Sequence, residues 1–198
     1  SNDVVSAIVL PSNTAATGYL FAEIPLPGIG LAKSAGPLVN HGDGSYSVPF
    51  SLRVVNAGET ALSAVQINDA LAGALPAFGT YTASAVPAAG EYTVSVAPTV
   101  DAAVNGAALV ADPAYTGSAG ATGLLVAATS SLPGFGAGNA SAATVSFSVR
   151  FFPTTTGPFE NAAIASGTPP VGAPVTDDSV NGANPDADGN GTPANDAS

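Results

Sequence analysis

Over residues 46–54 the chain alternates apolar and polar side chains: Tyr46, Val48, Phe50, Leu52 and Val54 are separated by Ser47, Pro49, Ser51 and Arg53. A second run does the same, with Ala143, Val145, Phe147, Val149 and Phe151 separated by Thr144, Ser146, Ser148 and Arg150. Successive side chains of a strand point to opposite faces, so a period of two over this length requires a strand with one buried face. Antiparallel sheets carry that pattern, because one face packs on the core and the other meets water. Turn sequences recur between apolar runs, at Asp43-Gly44, Asn56-Ala57-Gly58, Asn105-Gly106 and the glycine-rich 134–138. No stretch carries a helical stripe, and prolines interrupt most candidates. The pattern predicts an all-β chain, an antiparallel immunoglobulin-like β-sandwich, with Tyr46, Phe50, Leu52, Val65, Ile67, Val145, Phe147 and Val149 in its core.

Three segments are expected. Residues 1–28 hold two strand-like apolar stretches, 4–10 and 19–24, before Pro25, Pro27 and Gly28 break the chain. The first stretch either adds a strand to its own domain or pairs with the sheet edge of a neighbouring copy, a strand exchange. Residues 29–168 form the sandwich. Residues 169–198 carry Asp177, Asp178, Asp186, Asp188 and Asp196 among Gly, Asn and Pro, with no basic residue. Such a tail buries too little apolar surface to order by itself, so it is either a linker or a segment held by metal ions.

Charge and composition narrow the partners. The net charge is −11, and Lys33, Arg53 and Arg150 are the whole basic complement, so nucleic acid and anionic membranes would repel the chain. No apolar run reaches the roughly 18 residues of a membrane span, so no membrane insertion is expected. Cysteine is absent, which removes disulfides and thiol chemistry. The chain begins at Ser1 without methionine, as processed or excised material does. A secreted, extracellular setting fits these features. The single histidine, His41, sits in the turn sequence Asn40-His41-Gly42-Asp43-Gly44, with no nucleophile elbow or phosphate-binding glycine loop elsewhere. No enzyme acting on outside substrates is expected.

Two features stand above this background. In Ile29-Gly30-Leu31-Ala32-Lys33 the alternation puts Lys33, the only lysine, on the inward face with Ile29 and Leu31. In Val65-Gln66-Ile67-Asn68-Asp69 it puts Asp69 inward as well. A buried charge is costly unless paired, so the two are expected to meet. Two outcomes are open: a plain ion pair, or a lysine amine kept neutral by burial that attacks a side-chain amide while the aspartate shuttles protons. The second would leave an intramolecular isopeptide bond.

The other feature is Asp186-Ala187-Asp188-Gly189-Asn190-Gly191, the D-x-D-x-N-G opening of a calcium loop, with Thr192 placed to offer a backbone carbonyl. Ala197 stands where an EF-hand needs its bidentate glutamate, so this is not an EF-hand. Asp177, Asp178, Asn195 or Asp196 would complete a Ca2+ shell; a solvated acidic linker is the alternative.

The order of residues 29–33, the strand ending Asn56-Ala57-Gly58, residues 65–69 and Asn161-Ala162-Ala163 resembles the conserved-repeat immunoglobulin-like domains of bacterial surface and adhesin-like proteins. The stretches 176–182 and 185–193 look like the acidic ending of one subgroup, and the first 28 residues have no counterpart there. The resemblance implies a tandem structural module in a long extracellular protein or fibre, joined to neighbouring copies or domains. Related isopeptide-bonded domains carry a first-strand lysine, a central aspartate and a last-strand asparagine, and Lys33, Asp69 and Asn161 occupy those places. Glu160 competes with Asn161 as the inward residue. The rival function is an adhesive module that binds a glycan or host protein, with Tyr81, Tyr92 and Tyr115 as the aromatics available to it.

Overall fold

The computed structural model describes residues 12, 25–72, 78–134, 140–189 and 191–196. The two N-terminal apolar stretches, Asn139 and Asn190 lie outside the described residues. In chain order the strands are β1 (Ile29–Ala35), β2 (Val39–Asn40), β3 (Tyr46–Asn56), β4 (Ser63–Asp69) and β5 (Thr80–Tyr81). They continue as β6 (Glu91–Val104), β7 (Ser141–Phe151), β8 (Ala163–Thr168), β9 (Val175–Asp178) and β10 (Val180–Asn181). Among the described residues, helix is confined to single 3-10 turns at Ala127–Thr129 and Pro193–Asn195. No helix among them is long and apolar enough to cross a membrane.

The two alternating runs are partners. β3 and β7 pair antiparallel along their whole length, from Tyr46↔Phe151 to Asn56↔Ser141, so the apolar positions of both fall on the same face. They form the centre of a seven-stranded sheet in the order β10-β1-β3-β7-β6-β5, with β2 paired to β3. β4, β8 and β9 form a separate three-stranded sheet. Val48, Phe50, Leu52, Val145, Phe147 and Val149 of the first sheet share one core with Val65, Ile67 and Ala165 of the second. Seven of the eight expected core residues are buried; Tyr46 is half-buried at the mouth, tilted against Phe151. Both arginines fall outward as the alternation requires. Arg150 reaches Asp43 at 2.6 Å and Ser45 Oγ at 2.9 Å, which fastens the turn between β2 and β3.

The boundary expected at residue 168 is corrected by the structure. β9 pairs with β8 and β10 runs parallel to β1, so residues 175–181 are part of both sheets rather than of a tail. The alternation there was masked by chemistry: the inward position is Asp177, whose Oδ2 accepts the Leu31 N–H at 2.6 Å instead of entering an apolar core. Beyond β10 the chain folds back on β1. Gly182 N donates to the Lys33 carbonyl, and Pro185 and Pro193 lie against Gly30 so closely that a Cβ there would stand 2.7 Å from Pro193. A glycine is required at that crossing.

Candidate functional site

β1 is buried on both faces, by the core on one side and the returning chain on the other. Lys33, five residues into β1, is therefore nearly buried, its side chain 5 % exposed. Its Nζ donates to Asp69 Oδ2 at 2.6 Å, and Asp69, the last residue of β4, is fully buried. Phe50 supplies a wall: its ring centroid lies 4.9 Å from Nζ. Tyr115 fixes the other side by donating its Oη hydrogen to the Asp69 carbonyl at 3.2 Å while packing edge-on against Phe147. The expected encounter of Lys33 and Asp69 is therefore present.

Asn161, just ahead of β8, completes the group. It lines the same cavity as Lys33, a space of about 480 Å³ bounded also by Phe50, Phe159 and Ser179. Its amide acts on Asp69, holding the carboxyl down, yet the contact falls short of a full hydrogen bond. Asn161 Nδ2 and Asp69 Oδ1 are both buried without a well-formed partner. Glu160 is exposed, so it is not the inward acid.

Burial dominates the electrostatics here. It pushes the Lys33 ammonium below its ordinary pKa, against the attraction of Asp69. It pushes the Asp69 carboxyl up, against Lys33 and Asn161. Both directions weaken the charged forms of the pair, the ammonium and the carboxylate. A neutral amine is a nucleophile, a protonated carboxyl is a general acid, and a primary amide stands beside both.

The acidic loop is a second group. Asp186, Asp188 and Asp196 each bring a carboxylate oxygen within 4.8 Å of the others. Oxygen ligands about 2.3–2.6 Å from one calcium ion lie within such a span of one another, so the donor set fits a hard cation. The loop is pre-shaped: Gly191 N donates to Asp186 Oδ2 at 2.9 Å, and the Ala187 N–H donates to Asp196 Oδ2. Gly191, at φ +81°, takes a backbone turn that other residues resist. Asp177 does not join this set, because Leu31 engages it, and Asp178 points to solvent outside it. Desolvation, offset by the Leu31 N–H and reinforced by Asp178 and Asp196, pushes the Asp177 carboxyl up to about 6.

Tyr92 and Tyr115 are buried, so neither presents a ring to a glycan, and half-buried Tyr81 packs edge-on against Tyr92. Phe50 was expected only as a core residue and Tyr115 only as an aromatic for a glycan, so neither was expected beside the Lys33–Asp69 pair. Phe50 was within reach of strand logic: Lys33 pairs with Leu52, which makes Phe50 its diagonal neighbour on the same face. Tyr115 arrives on an irregular connection that no periodicity marks. Searches of family models, curated proteins and solved structures found no match for this chain.

Proposed function

We propose that the chain is a structural module of an extracellular bacterial surface or fibre protein, stabilised by calcium and closed by an isopeptide bond between Lys33 and Asn161. The observation that carries this reading is convergence. A lysine, an aspartate and an asparagine from three distant stretches come together, Lys33 and Asn161 lining one cavity and Asp69 bonded to Lys33, with the amine and carboxyl both displaced toward their neutral forms.

The chemistry closes without an outside reactant. Neutral Lys33 Nζ attacks Asn161 Cγ, Asp69 passes its proton to the departing amide nitrogen as the Cγ–Nδ2 bond breaks, and the Asp69 carboxylate takes back the proton that Nζ sheds. One amide bond forms, one breaks, and one ammonia leaves. The product removes the awkward groups of the starting pocket, since a buried amine and a poorly paired carboxamide become one neutral amide.

The strand order supports an immunoglobulin-like sandwich as the scaffold. β1-β3-β7-β6 and β4-β8-β9 reproduce the A-B-E-D and C-F-G sheets of that fold, with β10 an addition beside the first strand. The resemblance to conserved-repeat surface domains belongs with this reading, and it rests on residues and topology alone. The Asp186, Asp188 and Asp196 group is the place for Ca2+. Intact mass spectrometry tests the bond: the native chain should be lighter than its sequence by one ammonia, and Asp69→Ala should restore the full mass. A native mass equal to the sequence mass would leave a plain ion pair.

A further inference from the structure

The chain leaves the described domain at one pole and exposes an apolar groove at the other. Pro25 and Leu26 are tied to the far end of β3, through Thr60 Oγ1 to the Pro25 carbonyl at 3.0 Å and Glu59 N to the Leu26 carbonyl at 3.0 Å. At the opposite pole, beyond Ala35 and Tyr46, a groove of about 540 Å³ is floored by Phe50, Phe78 and Phe151 and rimmed by Leu38, Thr156 and Phe159. Leu38 is 58 % exposed beside it. Among the described residues, no charged side chain lines this groove.

We infer that this groove receives the apolar segment 4–10 of a second copy, so that copies join head to tail. The inference rests on the structural-module reading and gives it a contact surface. Val4, Val5, Ile8, Val9 and Leu10 make an apolar stretch ahead of the domain in sequence, and the chain enters the domain through Pro25, at the pole where a stacked neighbour would present its groove. A segment folding into its own groove would have to cross the length of β3, whose eleven residues span roughly 36 Å. Its linker would lie ordered along that path, with a backbone-entropy cost for every residue fixed. A neighbour's segment reaches the groove without that linker cost and meets instead the entropy of association, which falls as concentration rises.

The sheet edges are poorer receivers. The free side of β6 is interrupted by register shifts between Val94 and Val96, Val96 and Thr99, and Asp101 and Val104, which break the regular ladder a docking strand needs. The outer side of β4 is covered by the connection through Leu125 and Leu132, with the Gln66 side chain bonding both N–H and carbonyl of Leu125. A groove at one pole and its filler at the other form a heterologous contact, which does not close on itself and builds open chains.

Two full-length variants test this. Ile8→Asp spoils the segment and leaves the groove; Leu38→Glu charges the groove rim and leaves the segment. Thr156→Trp, on an exposed rim position, blocks the groove without a charge should Leu38→Glu disturb the fold, which circular dichroism reads. By light scattering after size exclusion, the unmodified chain should give a ladder of oligomers that lengthens with concentration, and each variant should be monomeric. Mixed one to one, Ile8→Asp and Leu38→Glu should form a species of twice the monomer mass and nothing larger, since one intact segment meets one intact groove. A monomeric unmodified chain at every concentration, or a mixture that stays monomeric, overturns the inference. The cross-link is read separately by mass, so its failure and the failure of docking are distinguishable.

Discussion

The Lys33–Asp69 centre and the Asp186–Asp188–Asp196 loop are both charged sites with unbalanced electrostatics, and they answer the problem in opposite ways. In the core, burial works against both charges, lowering the Lys33 ammonium and raising the Asp69 carboxyl, and under the proposed reading the pair resolves this by forming a bond. In the loop the carboxylates are half or fully exposed and gathered within reach of one cation. Under the proposed reading, burial would turn like chemistry into a reaction in one place and a binding site in the other. The difference predicts how each site fails.

The largest effect belongs to the core. Asp69→Ala leaves a nearly buried amine without its acid, and should destabilise the domain by about 3–5 kcal/mol, the range for breaking a buried pair. The missing cross-link adds to that loss, and chemical denaturation of the mass-verified variant measures both. Lys33→Met with Asp69→Leu is the sharper case. Filling the site with apolar groups should recover much of the pair's share, since such swaps are often neutral. The cross-link's share would stay lost.

The loop should fail more gently. With calcium at 100 times its Kd, mass action adds about 2.7 kcal/mol over the chelated protein. Asp186→Ala should abolish that difference while leaving the chelated melting temperature nearly unchanged. Equal melting curves with calcium and with chelator would remove the loop from the comparison.

The smallest effect lies between the two sites, at Asp177. Its folded pKa of about 6 stands above the ordinary 3.8, so the native chain holds more protons than the unfolded chain between these values. Stability should therefore fall as pH rises from about 4 to 6, in the presence of chelator, and Asp177→Asn should flatten that slope. An unchanged slope in the variant would show that the carboxyl titrates normally.

These sites were unequally legible in the sequence. Lys33 and Asp69 could be placed inward because apolar neighbours two residues apart set the phase on both strands. Asn161 could not, since Phe159-Glu160-Asn161-Ala162 lies outside any strand and its direction depends on how β8 begins. β9 was hidden because its inward residue is an acid that bonds a backbone N–H. The long connection from 107 to 132 carries no period at all, although it buries Leu124, Leu125 and Leu132 beside β4. Periodicity reports strands with one dry face; it says nothing of chain held by bridges and side-chain amides.

The position of Lys33 along β1 has a mechanical meaning. Tension applied through Pro25 would peel β1 from β3 one pair at a time, beginning at Ile29↔Asn56, the weak mode of pulling a sheet. The proposed covalent tie at Lys33 would arrest the peel at the fifth residue of the strand and hand the load across to the start of β8. Everything between Lys33 and Asn161, including all of β3, β4, β6 and β7, would then lie in a slack loop that carries no tension. A row of such modules would stretch only at its joints and through β8, β9 and β10.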